Sequence, residues 1–485
     1  MPAPCRPRRS RRLVLAAAVA AATLAGCARN PVTGQRELAL VSEAQEIQLG
    51  QQSAQEVAQS LGLVEDEALQ RYVQEVGARL AADSERPNLP WTFRVVEDPT
   101  PNAFALPGGY IFVTRGMMAL MNSEAELASV LGHEIGHVTA RHSVRQISRA
   151  QLGQLGLGLG AILAPELAQQ YGELASTGLQ LLFLKYGRDD ERQADELGFA
   201  YALNERYDVR EFADVFAALQ RLGEGSGSSP VPSFLATHPD PGERVETARR
   251  RVAALTQPLT DATTRRAEYL QRIAGMAYGE NPRNGFFRNG EFIHPELRFR
   301  LAFPTQWKAQ NTPQAVVAVS PQQDAIVQLT LSQAADPVTA ARGFLSQQGI
   351  QAGQTFQEPI NGIPAAGSYF RAQTQQGVIE GLVAYFTYER RTYQLLSYAP
   401  SGRFAAYDPV ARQIVGSFRP LTDPQLLNVQ PPRLSLVRVT QPMSLTAFNE
   451  RHPSTIPLGE LALINELSGP EARVEAGTTM KRVAP

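Results

Sequence analysis

The chain has 485 residues, enough for two to four domains. Lysine and arginine number 46 against 47 aspartate and glutamate, and a formal net charge of −1 excludes the basic field of a nucleic-acid binder. The only cysteines are Cys5 and Cys27, so no disulfide framework is expected and a metal site further along must use nitrogen and oxygen ligands.

The N-terminus runs from a basic stretch, Arg6-Pro-Arg-Arg-Ser-Arg-Arg12, into an apolar one that is too short for a comfortable membrane span. It ends in Leu24-Ala-Gly-Cys27, which resembles the lipobox of bacterial lipoproteins. The resemblance implies a lipoprotein signal peptide over 1–27, with Cys27 as the lipidated residue. Ala28 follows it instead of aspartate, which by analogy favours the outer over the inner membrane. Elsewhere no apolar run reaches the ~20 residues of a spanning helix. The nearest is the Leu/Gly segment from Leu152 to Ala164, which reads first as a packed helix hairpin and otherwise as a mobile lid or a patch that touches membrane.

Asn30-Pro-Val-Thr-Gly34 reads as a turn-rich tether. Helical periodicity covers Ser42 to Leu61 and Glu65 to Ala82, with Leu69, Val73, Val76 and Leu80 on one face. Trp91 to Val96 alternates as a strand. Gly108-Gly-Tyr-Ile-Phe-Val-Thr114 is a second β-rich run, either a core strand or an edge strand able to pair with an extended peptide. Asn102 and Phe104 lie at its entry.

Next comes Ala128-Ser-Val-Leu-Gly-His-Glu-Ile-Gly-His-Val-Thr-Ala-Arg-His142. His133 and His137 are one helical turn apart, so both imidazoles leave the same face and can meet one metal ion. Glu134 lies beside them, placed to take a proton from water. Ser123 and Glu126 have the spacing of a capping box at the helix start. Leu127, Val130, Leu131 and Ile135 form an apolar stripe. Gly132 and Gly136 are costly inside a helix and point to a close approach by another backbone or a substrate.

A catalytic zinc needs a third protein ligand. His142, five residues past His137, would point off the ligand face of a continuing helix. Tyr186-Gly-Arg-Asp-Asp-Glu-Arg-Gln-Ala-Asp-Glu-Leu-Gly198 is the better source. Glu191 and Asp195 are spaced i, i+4. One can bind metal while the other accepts the spare N–H of a ligand histidine. His238 follows a Gly/Ser/Pro loop, Gly223 to Pro232, and alone reads as a turn residue. Arg244 has two readings, a neighbour of the site and a helix-surface salt bridge, the second slightly favoured.

HExxH at His133–His137, ExxxD at Glu191–Asp195, Asn102 to Gly116 and Thr237-His-Pro239 together resemble the HExxH zinc metallopeptidases of the CAAX prenyl protease, HtpX and BepA type, which are gluzincins. The resemblance covers roughly residues 30 to 255. It implies His133, His137 and Glu191 as ligands of one Zn2+, Glu134 as general base and Asp195 as the partner of a ligand histidine. It also brings His238 near the metal, as a fourth ligand in a resting state or a hydrogen-bond donor to the developing oxyanion.

Gly, Asn and Pro cluster at Tyr278 to Gly285 and mark a domain boundary. Beyond it Leu297, Phe299, Leu301 and Phe303 alternate with Arg298 and Arg300. Strands are expected at 326–331, 366–372, 378–388 and 392–398, and helices near 338–348 and 404–417. This region, 290–420, reads as an α/β sandwich and an interaction module, vaguely similar to PsbP-like sandwiches. A linker at Leu421 to Pro432 precedes a tail, 433–485, whose element order is similar to a degenerate LysM module. That similarity implies contact with peptidoglycan, although Gln441-Pro-Met-Ser stands where the LysM Gly-Asp-Thr pattern is expected.

The expected whole is multidomain: a mostly α zincin-type peptidase domain with a small β-sheet over 28–275, the sandwich, and the LysM-like α/β module. The expected function is a zinc metalloendopeptidase, lipid-anchored to the outer membrane and facing the periplasm, that cleaves unfolded or misassembled envelope proteins. The alternative is a chaperone or assembly scaffold whose protease site is largely latent.

Overall fold

A computed structural model describes residues 27–154, 184–225, 233–256, 258–312, 314–374 and 377–485. The expected signal sequence up to residue 26, most of the Leu152–Ala164 segment and the loop at 226–232 lie outside the described residues. The chain divides into two compact units: Met1–Gly279 with Pro432–Pro485, and Glu280–Pro431. The second unit is therefore an insertion in the first.

The first unit opens with a hairpin, β1 (Cys27–Arg29) and β2 (Arg36–Leu38), followed by helices α1 (Glu43–Leu61) and α2 (Glu67–Ala82). Ser42 and Asp66 cap these helices, each accepting backbone N–H groups of the first turn. Three strands follow: β3 (Thr92–Val96), β4 (Ala103–Leu106) and β5 (Tyr110–Thr114). Their order is β3-β5-β4, with β5 parallel to β3 and antiparallel to β4. The run at 108–114 is thus the middle strand and not an edge. Apolar alternation reports which face is buried but not which neighbour pairs. The edge strand packed on the next helices is β4.

A short helix α3 (Arg115–Leu120) leads into α4 (Glu124–Thr139), which carries the HExxH motif. Every residue of α4 is buried, so it is a central helix and not an amphipathic one. The Ser123 hydroxyl accepts the Glu126 N–H, but the Glu126 carboxylate reaches back to the N–H of Asn122, one residue before the capping-box partner. Helix α5 (His142–Gln154) follows a break, and then α6 (Arg188–Asn204), α7 (Glu211–Gly225), α8 (Ser233–Thr237), α9 (Pro241–Ala253) and α10 (Arg266–Ile273). Helix α6 lies directly against α4. A Cβ on Gly136 would stand 2.9 Å from Ala194 Cα, and one on Gly198 would stand 2.7 Å from the His133 nitrogen. The approaching partner anticipated for the costly helix glycines is therefore α6.

The tail contributes two short helices and two strand pairs, β17 (Arg433–Arg438) with β20 (Thr479–Ala484) and β18 (Met443–Ser444) with β19 (Arg473–Val474). Leu434, Phe448, Leu461 and Val483 share one apolar core with Met118, Leu127 and Tyr269 from earlier in the same unit. Lys481, fully buried, donates to the carbonyls of Ala119, Leu120 and Met121, the end of α3 just before α4. The segment that the sequence sets apart as 433–485 so completes the core of the first unit.

In the second unit a seven-stranded antiparallel sheet has the order β12 (Ile350–Phe356), β13 (Ala365–Thr374), β14 (Gly377–Tyr388), β15 (Arg391–Pro400), β11 (Ile326–Ser332), β10 (Val316–Val319) and β9 (Lys308–Asn311), beside a four-stranded sheet of β16 (Arg419–Pro420), β8 (Phe299–Ala302), β7 (Glu291–His294) and β6 (Phe286–Arg288). Along β14, Leu382, Ala384 and Phe386 share a core with Phe404, Ala411, Ile414 and Val415 of helix α12 (Phe404–Ser417). Val383 and Tyr385, on the other face, pack with Ala340 and Ala341 of helix α11 (Pro337–Leu345). The strand's period of two thus sends alternate residues to two helical layers.

Candidate metal centre

Helix α4 presents His133, Glu134 and His137, and α6 presents Glu191 and Asp195. The turn between α8 and α9 presents His238. His133 Nε2 lies 3.0 Å from His137 Nε2 and 3.2 Å from His238 Nδ1. Glu191 Oε1 lies 3.0 Å from His238 Nδ1 and 3.4 Å from His137 Nε2, and its Oε2 lies 3.5 Å from His133 Nε2. One ligand atom from each of the four residues falls within 4.8 Å of all the others, and all four side chains are buried. Ligands held ~2.0–2.1 Å from a tetrahedral zinc stand ~3.3 Å from one another. The donor set, three imidazoles and a carboxylate, and its spacing both fit that ion. His238 takes the fourth corner.

The surrounding side chains hold this set in place. His133 Nδ1 faces Asp195 Oδ1 at 2.8 Å, the carboxylate partner expected for a ligand histidine. Arg244 Nε and Nη2 donate to Asp195 Oδ2 and Oδ1 at 2.9 and 2.7 Å, while its Nη1 lies 3.2 Å from Glu191 Oε2. The guanidinium sits 4.1 Å from the centre of the Phe216 ring. Arg244 is thus a buried residue binding two carboxylates of the site, which corrects its reading as a surface salt bridge. Tyr186 stacks on His137 at 3.8 Å between ring centres, and Phe234 on His238 at 4.5 Å.

Glu134 is fully buried, and neither carboxylate oxygen has a hydrogen-bond partner among the described residues. Burial first, and then the charge of Glu191, raises its pKa against the pull of His238 and His133. Burial also works to raise Glu191, but His238, Arg244 and His133 outweigh it and hold that carboxyl well below the ordinary range. In the metal-free site the two carboxylates are thereby driven in opposite directions, Glu134 up and Glu191 down.

Sequence reasoning missed His142 and Tyr186. His142 was excluded as a ligand by extending the α4 helix through it. The helix ends at Thr139 and Arg141 adopts a left-handed φ of 56°, so the chain doubles back. His142 Nδ1 then lies 2.8 Å from His137 Nδ1. It lies outside the ligand set but touches a member of it.

A buried HExxH helix crossed by a second helix that supplies a glutamate defines the class of zinc metallopeptidases. Residues 67–252, which carry all of these side chains, match Peptidase family M48. The beta-barrel assembly-enhancing protease of Yersinia pestis is 32% identical over 285 residues, 56% of this chain and 55% of that protein. The Escherichia coli (strain K12) protein of the same description is 30% identical over 220 residues, 44% of each chain. The mitochondrial metalloendopeptidase OMA1 of Schizosaccharomyces pombe is 32% identical over 175 residues, 36% of this chain and 50% of its own. The chain spans about half the length of these curated relatives. The solution structure of cyanobacterial PsbP from Synechocystis sp. PCC 6803 covers 27% of this chain and 91% of its own at 14% identity, with a TM-score of 0.23, too low to carry an argument.

Proposed function

We propose that the protein is a zinc-dependent endopeptidase in which His133, His137 and Glu191 hold the ion and Glu134 is the general base. The observation that carries this reading is the buried Glu134 carboxylate, which has no hydrogen-bond partner among the described residues and lies 3.7 Å from His238 Nε2, beside four converging ligand atoms. Bound zinc supplies Lewis acidity and lowers the pKa of water toward neutrality. Glu134 accepts the proton of the attacking water and returns it to the leaving amine. Asp195, fixed by Arg244, keeps the His133 ring in the tautomer whose Nε2 is free. An extended peptide is the substrate form that suits β4, which pairs on one side only in its sheet and follows directly on Asn102, whose Oδ1 has no hydrogen-bond partner among the described residues. Glu134→Gln should abolish chelator-sensitive cleavage of casein while leaving one zinc per chain. Cleavage by that variant at the wild-type rate overturns the assignment.

A second reading, of a scaffold with a latent protease, is favoured by one observation: His238 Nδ1 fills the ligand corner that a catalytic zinc leaves open. His238→Ala separates the two roles of this residue. Faster casein cleavage makes it a stopper; slower cleavage makes it a donor to the oxyanion.

The wider setting rests on the sequence motifs and the descriptions of the relatives. The lipobox supports lipidation of Cys27 and attachment to the outer membrane, facing the periplasm. Assembly-enhancing relatives support unfolded or misassembled envelope proteins as clients. The LysM-like order of the tail supports contact with peptidoglycan. Labelling with a fatty-acid probe that is lost on Cys27→Ser tests the first. Equal retention on purified sacculi with and without a deleted tail would sink the last.

A further inference from the structure

We propose that His142 is a positioning residue for the metal ligand His137, the terminal link of a hydrogen-bonded tie from helix α6. The proposal rests on the zinc reading of the site and deepens it. His137 turns Nε2 toward the ligand cluster. A nitrogen that binds metal carries no proton, so the proton of the neutral ring is on Nδ1. That atom points at His142 Nδ1, 2.8 Å away. Two imidazole nitrogens at this separation need one donor and one acceptor, and His137 is the donor. His142 therefore accepts through a bare Nδ1, and its own proton is on Nε2. Its Nε2 lies 3.0 Å from Gln193 Oε1, which accepts it.

Every link thus has one direction: His137 Nδ1–H to His142, His142 Nε2–H to Gln193. Gln193 lies on α6 between Glu191 and Asp195. Both ligand histidines of α4 are consequently oriented from α6, His133 directly by Asp195 and His137 through His142 by Gln193. The two ties differ in length. His133 leans directly on a carboxylate, whereas His137 leans on a ring, fully buried and packed within 6.2 Å of Tyr186, whose Nε2 also stands 3.9 Å from Asp190 Oδ1. Partners of this kind fix the ring orientation of a ligand and are typically worth about 10- to 100-fold in metal affinity.

The test is zinc affinity measured by competition with a chromophoric chelator on the full chain. His142→Leu removes the acceptor and should weaken zinc binding by about 10- to 100-fold. His142→Asn returns an oxygen near the Nδ1 position and should recover most of the loss, which a purely space-filling role does not predict. Histidine 15N NMR of the wild-type protein should show His142 protonated on Nε2 only and His137 on Nδ1. Wild-type zinc affinity in His142→Leu, or an Nδ1-protonated His142, overturns this inference and leaves the proposed function standing. A wild-type chain that takes up no zinc overturns the proposed function, and this inference with it.

Discussion

The two units bury different chemistry. In the first, Glu46, Arg86, Arg115, Glu124, Glu126, Glu134, Glu191, Asp195, Arg244 and Lys481 are all buried. In the second, the buried polar residues among those described are hydroxyls alone: Ser320, Ser368, Thr392 and Ser397. Desolvating a charge costs several kcal/mol unless it is paired, so a core that holds many is organised around them. Hydroxyls satisfy themselves locally, and the second unit's interior is specified by packing. The contrast teaches where chemistry lies: the unit with costly buried charges holds the metal centre, and the other is held by apolar layers.

The contrast predicts unlike responses to damage. Arg244→Met leaves Asp195 and Glu191 without their cation, and should cost the first unit about 3–5 kcal/mol in denaturant titrations and lower its zinc affinity. Phe418, stacked on Phe386 at 4.9 Å and Phe299 at 5.0 Å, should cost the second unit a similar ~3–5 kcal/mol on truncation to alanine, with zinc affinity unchanged. Loss of zinc binding in Phe418→Ala would break the comparison.

Acid separates the units next. Burial lowers His294 to about 4, and its Nδ1 accepts the Leu297 N–H. The unfolded chain takes up this proton near pH 6.5, before the folded one does. Stability is therefore full above that pH and falls by about 3 kcal/mol as pH drops toward 4. His294→Leu should flatten this slope; melting curves of the second unit at pH 7, 5.5 and 4 check it. Gly198→Ala drives a methyl against the His133 backbone and should cost about 1–3 kcal/mol by overpacking. The smallest effect belongs to the exposed pair Arg249–Glu246, whose double-mutant coupling should be ~0.5 kcal/mol or less.

Much of the centre was legible because helical periodicity is rigid: four residues make a turn, so His133 and His137 had to share a face, and Glu191 and Asp195 likewise. The strands at 326–331 and 378–388 were legible for the same reason, with period two. What stayed hidden depends on where regularity stops. The left-handed Arg141 ends α4 and turns His142 back onto His137, and nothing in the spacing announces that. The central position of β5 is a matter of pairing order, which alternation does not encode. Arg244 looked like a surface residue because its polar partners lie about 50 residues away on another helix.

The Lys481 contact makes the finished first unit a late product of translation. The carbonyls of Ala119, Leu120 and Met121 emerge from the ribosome early, but the ammonium that satisfies them comes only after all of Glu280–Pro431 has been synthesised. A nascent chain halted before that point holds both histidines of the motif without the lysine that anchors the foot of their helix. A stalled or clipped copy therefore leaves these three carbonyls without the ammonium that satisfies them in the full chain.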